Sequence, residues 1–118
     1  MQQRTIIVSL LAAALVFGFG TASAKGTAAA GKTKAAACEA CHGADGNGIA
    51  PNYPALAGQY QDYIEQVLHE YKDGQRTNAI MNGMASPLSD QDIDDLAAYF
   101  SSLPSKLSDL HGKVNGGD

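Results

Sequence analysis

The sequence has few basic residues and few cysteines. Eight lysines and arginines stand against twelve acidic residues, and the 118 residues include only two cysteines. The resulting net charge of −4 argues against nucleic acid and anionic membrane surfaces as partners. The sequence contains no internal repeat, no phosphate-binding glycine loop and no dinucleotide fingerprint. It also shows no recognisable Ser/His/Asp catalytic triad. These absences exclude the common nucleotide-dependent enzymes and serine hydrolases.

Residues 1–24 show the three parts of a secretory signal peptide. A charged start is followed by an apolar run from Ile6 to Phe19, and small residues ending at Ala24 form an A-x-A cleavage site. A retained membrane anchor is the alternative, but this run is shorter than the roughly 20 residues that span a bilayer. We expect export to the periplasm, no stable membrane insertion after cleavage, and a mature chain of 94 residues with a formal charge of −5.

Both cysteines belong to one pentapeptide, in which Cys38 and Cys41 are followed directly by His42. The pattern C-x-x-C-H is the attachment signature of c-type haem. Two thiols at this spacing each add to one vinyl group of a porphyrin, and the imidazole that follows becomes the proximal iron ligand. The pattern therefore predicts one covalently bound haem c.

Three other interpretations of the pentapeptide are open. A thioredoxin-like redox motif would need a βαβ context, and no β-periodic run surrounds these residues. A zinc site needs about four ligands, and the other histidines, His69 and His111, show no paired ligand spacing. A plain structural disulfide also fits an exported protein.

Periodicity and composition predict an all-α domain over 25–103 with three main helices. The helices are expected at 28–41, 59–73 and 89–103, joined by the irregular stretches 43–58 and 75–88. Gly31 is unusual inside a helix and suggests that another element approaches closely there. Residues 104–118 have little apolar content and predict a flexible tail.

Two further groups of residues bear on function. The stretch 75–88 contains Met81 and Met84, and methionine sulfur is a suitable second axial ligand for haem iron as well as a common core filler. Four aspartates crowd the start of the last helix: Asp90, Asp92, Asp94 and Asp95. We interpret them as helix capping and solubility rather than as a metal site.

Three stretches together resemble the class I c-type cytochromes, and the resemblance covers about 28–103. They are AACEACHGADGN (36–47), NYPALAGQ (52–59) and LSDQDIDDLAAYF (88–100). More narrowly, they are similar to one lobe of the small two-haem periplasmic cytochromes and to their single-haem relatives. The resemblance implies a small cytochrome c fold wrapped around one haem, with thioethers at Cys38 and Cys41 and a proximal His42.

The resemblance also assigns roles to residues outside the pentapeptide. The Pro54 carbonyl would accept a hydrogen bond from the His42 ring, and Gly31 would face Tyr99 or Phe100. Met81, seven residues before Leu88, is selected as the distal ligand over Met84. Two further residues were assigned to the haem edge or its propionates: Arg76 and Asn78.

These features predict a single-haem, one-electron carrier that is not an enzyme. We expect a monomer that docks briefly with a donor protein and an acceptor protein. One alternative is a dedicated haem subunit of a periplasmic dehydrogenase complex. A second is a five-coordinate haem enzyme or gas sensor, which would require that neither methionine binds the iron.

Overall fold

The computed structural model describes residues 25–106, and within them it contains five helices and no strand. The helices are α1 (Ala28–Lys34), α2 (Ala36–His42), α3 (Gln61–Lys72), α4 (Ala79–Ala85) and α5 (Asp90–Ser102). The all-α prediction is therefore confirmed. The predicted signal peptide 1–24 and residues 107–118 of the predicted tail lie outside the described residues.

The first expected helix, 28–41, is two helices that meet at Ala35. The Ala35 amide bonds to the Lys32 carbonyl at 3.5 Å, and the Cys38 amide bonds to the Ala35 carbonyl at 2.8 Å. Both bonds span three residues rather than four, so the backbone tightens locally. Ala35 is fully buried in the core. The tightened turn at Ala35 separates α1, which packs on α5, from α2, which carries the cysteines.

Helices α1 and α5 cross closely at Gly31. A methyl group built on Gly31 would collide with the Asp95 carbonyl and would lie 2.6 Å from Tyr99 Cβ. The predicted contact of Gly31 with the last helix is therefore confirmed, and Tyr99 is the partner. Gly26, which the sequence analysis did not single out, meets the Asp94 carbonyl in the same way.

The interpretation of the four aspartates as solvated helix-capping residues is wrong for Asp95. Its side chain is buried and accepts hydrogen bonds from the Thr27 amide at 2.9 Å, Lys34 Nζ at 2.6 Å and Gln91 Nε2 at 3.2 Å. A buried carboxylate requires such partners, because an unpaired charge would lose its hydration without compensation. Asp95 therefore fastens α1 to α5.

The interpretation as capping is correct for Asp92. The Asp92 amide donates to Ser89 Oγ at 3.1 Å, and the Ser89 amide donates to Asp92 Oδ2 at 3.0 Å. This reciprocal pair is a capping box with aspartate in place of glutamate. It fixes the point at which α5 begins.

The core lies where α5 packs against α1 and α3. Its buried members come from three parts of the chain: Ala35, Ile64, Leu96, Ala97, Tyr99 and Phe100. Five partly buried side chains border it: Cys38, Leu56, Leu68, Leu88 and Leu103. A core this small stabilises a domain of this size only modestly.

The stretch 75–88, expected to be irregular, contains helix α4. Asn78 caps it, since its side-chain oxygen accepts from the amides of Ile80 at 3.1 Å and Met81 at 3.0 Å. Polar residues and Gly83 obscured this short helix in the sequence, because each lowers helix propensity. The correction places both methionines on a helix rather than in a loop.

The chain beyond α5 turns back onto the loop that follows α2. Asn47 Nδ2 donates to the Pro104 carbonyl at 3.2 Å, and the Lys106 amide donates to Asn47 Oδ1 at 2.8 Å.

None of the helices in residues 25–106 combines the length and the hydropathy needed to cross a bilayer.

Candidate haem-binding site

Helix α2 presents the two thiols of the pentapeptide. Cys38 and Cys41 are three positions apart, and residues at this spacing are neighbours on a helix surface. Both are half-buried free thiols, so the structure does not contain the disulfide that was considered as an alternative. Burial, with a smaller contribution from the Glu39 charge, raises the pKa of the Cys38 thiol. Both thiols are partly accessible, and Cys38 packs against the core.

His42 ends α2 and is buried, with 7% of its surface exposed. Its Nδ1 lies 2.8 Å from the carbonyl oxygen of Pro54, so the expected hydrogen bond is present. An N–H at Nδ1 donates to this oxygen, which places the lone pair on Nε2 and makes Nε2 the nitrogen available to a metal. The bond also fixes the orientation of the ring.

The loop between α2 and α3 brings Pro54 back to His42. The Gly48 amide donates to the His42 carbonyl at 2.7 Å. Gly48 has a positive φ of 78°, and a side chain there would place Cβ 2.5 Å from the Tyr53 carbonyl, directly before Pro54. Only glycine suits both conditions. The glycine-rich composition of this loop thus serves the approach of Pro54 to the histidine.

Helix α4 carries both candidate distal ligands, Met81 and Met84, which are half-buried. Being three positions apart, they lie on neighbouring parts of the helix surface. Asn82 ties α4 to the end of α3 and to the turn that follows it, since its side-chain Nδ2 donates to the carbonyls of Tyr71 at 2.6 Å and Arg76 at 2.8 Å. The helix, rather than a loop, therefore sets the position of either sulfur.

Helices α2 and α4 are supported separately within residues 25–106. Helix α2 contacts α1, α4 contacts α3, and the two do not contact each other. Partly buried apolar side chains border the core, including Leu56, Leu68 and Leu88. Paired thiols, a buried imidazole with its second nitrogen hydrogen-bonded, and this apolar border fit a haem c group.

Arg76 and Asn78, which the resemblance places at the haem edge or its propionates, also have partners within the protein. The Arg76 guanidinium bonds to Glu70 at 3.2 Å and lies 5.5 Å from the centre of the Tyr71 ring. Asn78 caps α4. Asn78 thus holds the start of the methionine helix, and Arg76 supports that helix through its carbonyl, which accepts from Asn82 Nδ2 at 2.8 Å. Their place at the haem edge stays a prediction.

Sequence reasoning missed the hydrogen bond between Tyr99 and Glu39. The Tyr99 hydroxyl donates to Glu39 Oε1 at 2.8 Å, and Glu39 lies between the two cysteines. No local pattern could have revealed it, because the two residues are 60 positions apart. The predicted contact between Gly31 and Tyr99 was the one indication in the sequence that α5 lies close to the helices at the start of the domain.

Comparison with known proteins shows the family to which the chain is similar. The sequence model of the family Cytochrome c matches residues 28–104. Cytochrome c4 of Pseudomonas aeruginosa is 55% identical over 98 residues, which are 82% of this chain and 47% of the relative. Cytochrome c-554(548) of Halomonas halodenitrificans is 54% identical over 80 residues, which are 65% of this chain and 96% of the relative.

The structure of reduced cytochrome c4 from Pseudomonas stutzeri superposes with a TM-score of 0.66 and 47% identity, covering 70% of this chain and 48% of that one. A thiosulfate dehydrogenase electron acceptor of Thiomonas intermedia is 49% identical over 76 residues, covering 64% of this chain and 35% of the relative. The chain spans about half the length of the cytochrome c4 relatives that it matches. It matches nearly the full length of the Halomonas protein.

Proposed function

Because this chain belongs to the cytochrome c family, whose cofactor is covalently bound haem c, we propose that it is a periplasmic one-electron carrier with His42 and Met81 as axial ligands. The observation that supports this most directly is the 2.8 Å bond between His42 Nδ1 and the Pro54 carbonyl. It orients the imidazole that the C-x-x-C-H pattern places beside the two thiols.

Each residue of the site has a separate task in this proposal. Cys38 and Cys41 hold the group through thioether bonds, and His42 Nε2 binds the iron. The Pro54 carbonyl keeps the His42 ring oriented and strengthens it as a ligand, because a hydrogen-bonded imidazole is more basic. The Met81 sulfur would bind the iron as its second protein ligand and would favour the reduced state.

Bound haem c supplies an iron that takes up and releases one electron. Two fixed axial ligands leave no open position for substrate, so the chain would transfer electrons between proteins rather than transform a molecule. Small interfaces are typical of such brief redox encounters. With the formal charge of −5 expected after signal-peptide cleavage, the chain would be steered toward a partner with a basic rim.

The choice between the two methionines is tested by absorption spectra of the oxidised protein. We expect Met81→Ala to abolish the weak near-infrared sulfur-to-iron band, since the sulfur that donates to iron is removed. Met84→Ala, the matched control on the same helix, should keep it. Loss of the band in Met84→Ala alone would assign the distal ligand to Met84 and contradict our choice.

A dedicated haem subunit of a periplasmic dehydrogenase is the second candidate. The name of the Thiomonas relative, thiosulfate dehydrogenase electron acceptor, favours this possibility. The two candidates differ in the lifetime of the complex, because a subunit remains bound during purification and a carrier does not. Size-exclusion chromatography of the native protein would separate them: a monomer supports the carrier, and stable co-elution with a catalytic chain supports the subunit.

A further inference from the structure

We propose that Tyr99 holds the Glu39 carboxylate as a fixed negative charge beside the haem attachment segment, and that this charge lowers the reduction potential of the haem. The inference rests on the proposed function, since it requires haem bound at Cys38 and Cys41. It assigns to the residue between the two cysteines a role that the attachment pattern itself does not specify.

The geometry fixes the carboxylate in place. Tyr99 is 7% exposed, and its hydroxyl donates to Glu39 Oε1 at 2.8 Å. The backbone on both sides of Glu39 is also constrained, because its amide donates to Ala35 at 2.9 Å and its carbonyl accepts from the Gly43 amide at 2.8 Å. A carboxylate that is carried by a constrained helix and accepts from a buried donor has less freedom to turn toward water.

The carboxylate keeps its full charge because its partner is neutral. Five other acidic side chains face a cation: Asp92 and Asp95 face Lys34, Glu70 faces Arg76, Asp90 faces Lys72 and Asp45 faces Lys106. Glu65, like Glu39, has a neutral partner, Gln61 Nε2 at 2.8 Å, but it lies on α3 and not in the attachment segment. Within residues 25–106, Glu39 has no ion pair. A phenol positions the negative charge without cancelling it.

The charge lies close enough to act on the attachment site. The pKa of the Cys38 thiol is raised chiefly by burial, and the field of Glu39 raises it further. The pKa of Tyr99 is likewise raised, first by its hydrogen bond to Glu39, which keeps the phenol protonated as the donor. The same field, acting on an iron that carries one more positive charge when oxidised, stabilises the oxidised state.

The test is the midpoint potential of the purified holoprotein, measured by titration with redox mediators at pH 7. Glu39→Gln removes the charge and keeps an oxygen that accepts from Tyr99, so the potential should rise. At a fixed solution potential the ratio of reduced to oxidised protein should increase roughly threefold to tenfold, the range expected for one partly shielded unit charge. Asp62→Asn, which changes the net charge equally on exposed α3, is the matched control and should produce a clearly smaller change.

Tyr99→Phe tests the positioning role separately. It leaves the charge but removes the donor, so the carboxylate turns toward water, and the potential should rise by less than in Glu39→Gln. This variant lies outside the pentapeptide, so it decides the question even where Glu39→Gln impairs haem attachment. A merely structural hydrogen bond would alter stability and leave the potential unchanged.

Three results would overturn the inference. They are an unchanged potential in both variants with native spectra, an equal shift in Asp62→Asn, and a shift in Glu39→Gln with none in Tyr99→Phe. Wild-type protein that lacks haem absorbance would instead defeat the proposed function. Failure of the proposed function and failure of this inference are thus distinguishable in one set of samples.

Discussion

Gly31 determines how closely α1 approaches α5, and α1 leads directly into the helix that carries the pentapeptide. A side chain at position 31 would collide with a backbone group, the Asp95 carbonyl, and with a side-chain atom, Tyr99 Cβ. Backbone atoms in the middle of a helix cannot move aside individually. A larger residue would therefore push the two helices apart.

Gly31→Ala should lower the free energy of unfolding by at least about 2 kcal/mol, the usual cost of forcing extra atoms into a packed contact. Chemical denaturation at pH 7 measures it. Gly83→Ala is the control, since nothing lies within 4 Å of the position where its Cβ would be. That variant should be stabilised by about 0.5–1 kcal/mol, because alanine favours a helix over glycine. Equal effects at the two sites would contradict this account of the crossing.

The sequence revealed residues whose task follows from local chemistry. Cys38, Cys41 and His42 could be identified because their spacing carries the chemistry of attachment, and Gly31 because glycine is costly within a helix. Glu39 could not be identified, since its partner Tyr99 is distant in sequence. Residues defined by a long-range partner need the fold before they can be recognised.

Among the helices, the pairing of α1 with α5 depends on a buried polar cluster around Asp95. Lys34 Nζ lies 2.6 Å from Asp95 and 2.8 Å from Asp92, and its nearness lowers the pKa of both carboxyls. The Thr27 amide completes the cluster at the start of α1. These contacts join the first helix of the domain to the last.

The free energy of unfolding should fall as the pH is lowered. Folding lowers the pKa of these carboxyls below the value of about 3.9 that they have in the unfolded chain. They therefore stabilise the fold at pH values above about 3.9, and this stabilisation is lost as the pH falls through their pKa in the folded protein. Asp95→Asn should be less stable than wild type at pH 7, and the difference should shrink between about pH 5 and pH 2. Urea unfolding across this range measures it, and a constant difference would contradict the role of the Asp95 charge.

The helices were predictable where apolar periodicity was strong. Helix α3 and helix α5 were expected at 59–73 and 89–103, and they occur at Gln61–Lys72 and Asp90–Ser102. Helix α4 was missed because its cap, Asn78, and its interior Gly83 are residues that favour turns. The break at Ala35 was missed because alanine there gives no sign of a buried tightened turn.

At the scale of the whole molecule, a small helical core surrounds a site that joins distant parts of the chain. Among the described residues, the buried apolar set consists of four alanines and five larger side chains: Ile64, Ile93, Leu96, Tyr99 and Phe100. Leu56 and Leu68, which border this set, are only partly buried, and so are the two methionines. A covalently bound apolar group would complete such a core, as cofactors do in small domains.

Replacing both attachment cysteines by alanine should therefore remove cooperative unfolding as well as the cofactor. We expect Cys38→Ala combined with Cys41→Ala to show a broad thermal transition by circular dichroism, while the holoprotein shows a sharp one. The reason is that the core of the described residues is too small to compensate for the ordering of the chain. A sharp transition in the haem-free variant at the wild-type temperature would contradict this dependence.

The most direct test of the central claim is the absorption spectrum of the wild-type protein in its oxidised and reduced states. The account predicts a sharp α-band on reduction and a weak near-infrared sulfur band on oxidation, because histidine and methionine both bind the iron. A high-spin spectrum that changes readily with carbon monoxide would contradict it, since an open axial position belongs to a haem enzyme or gas sensor rather than to an electron carrier.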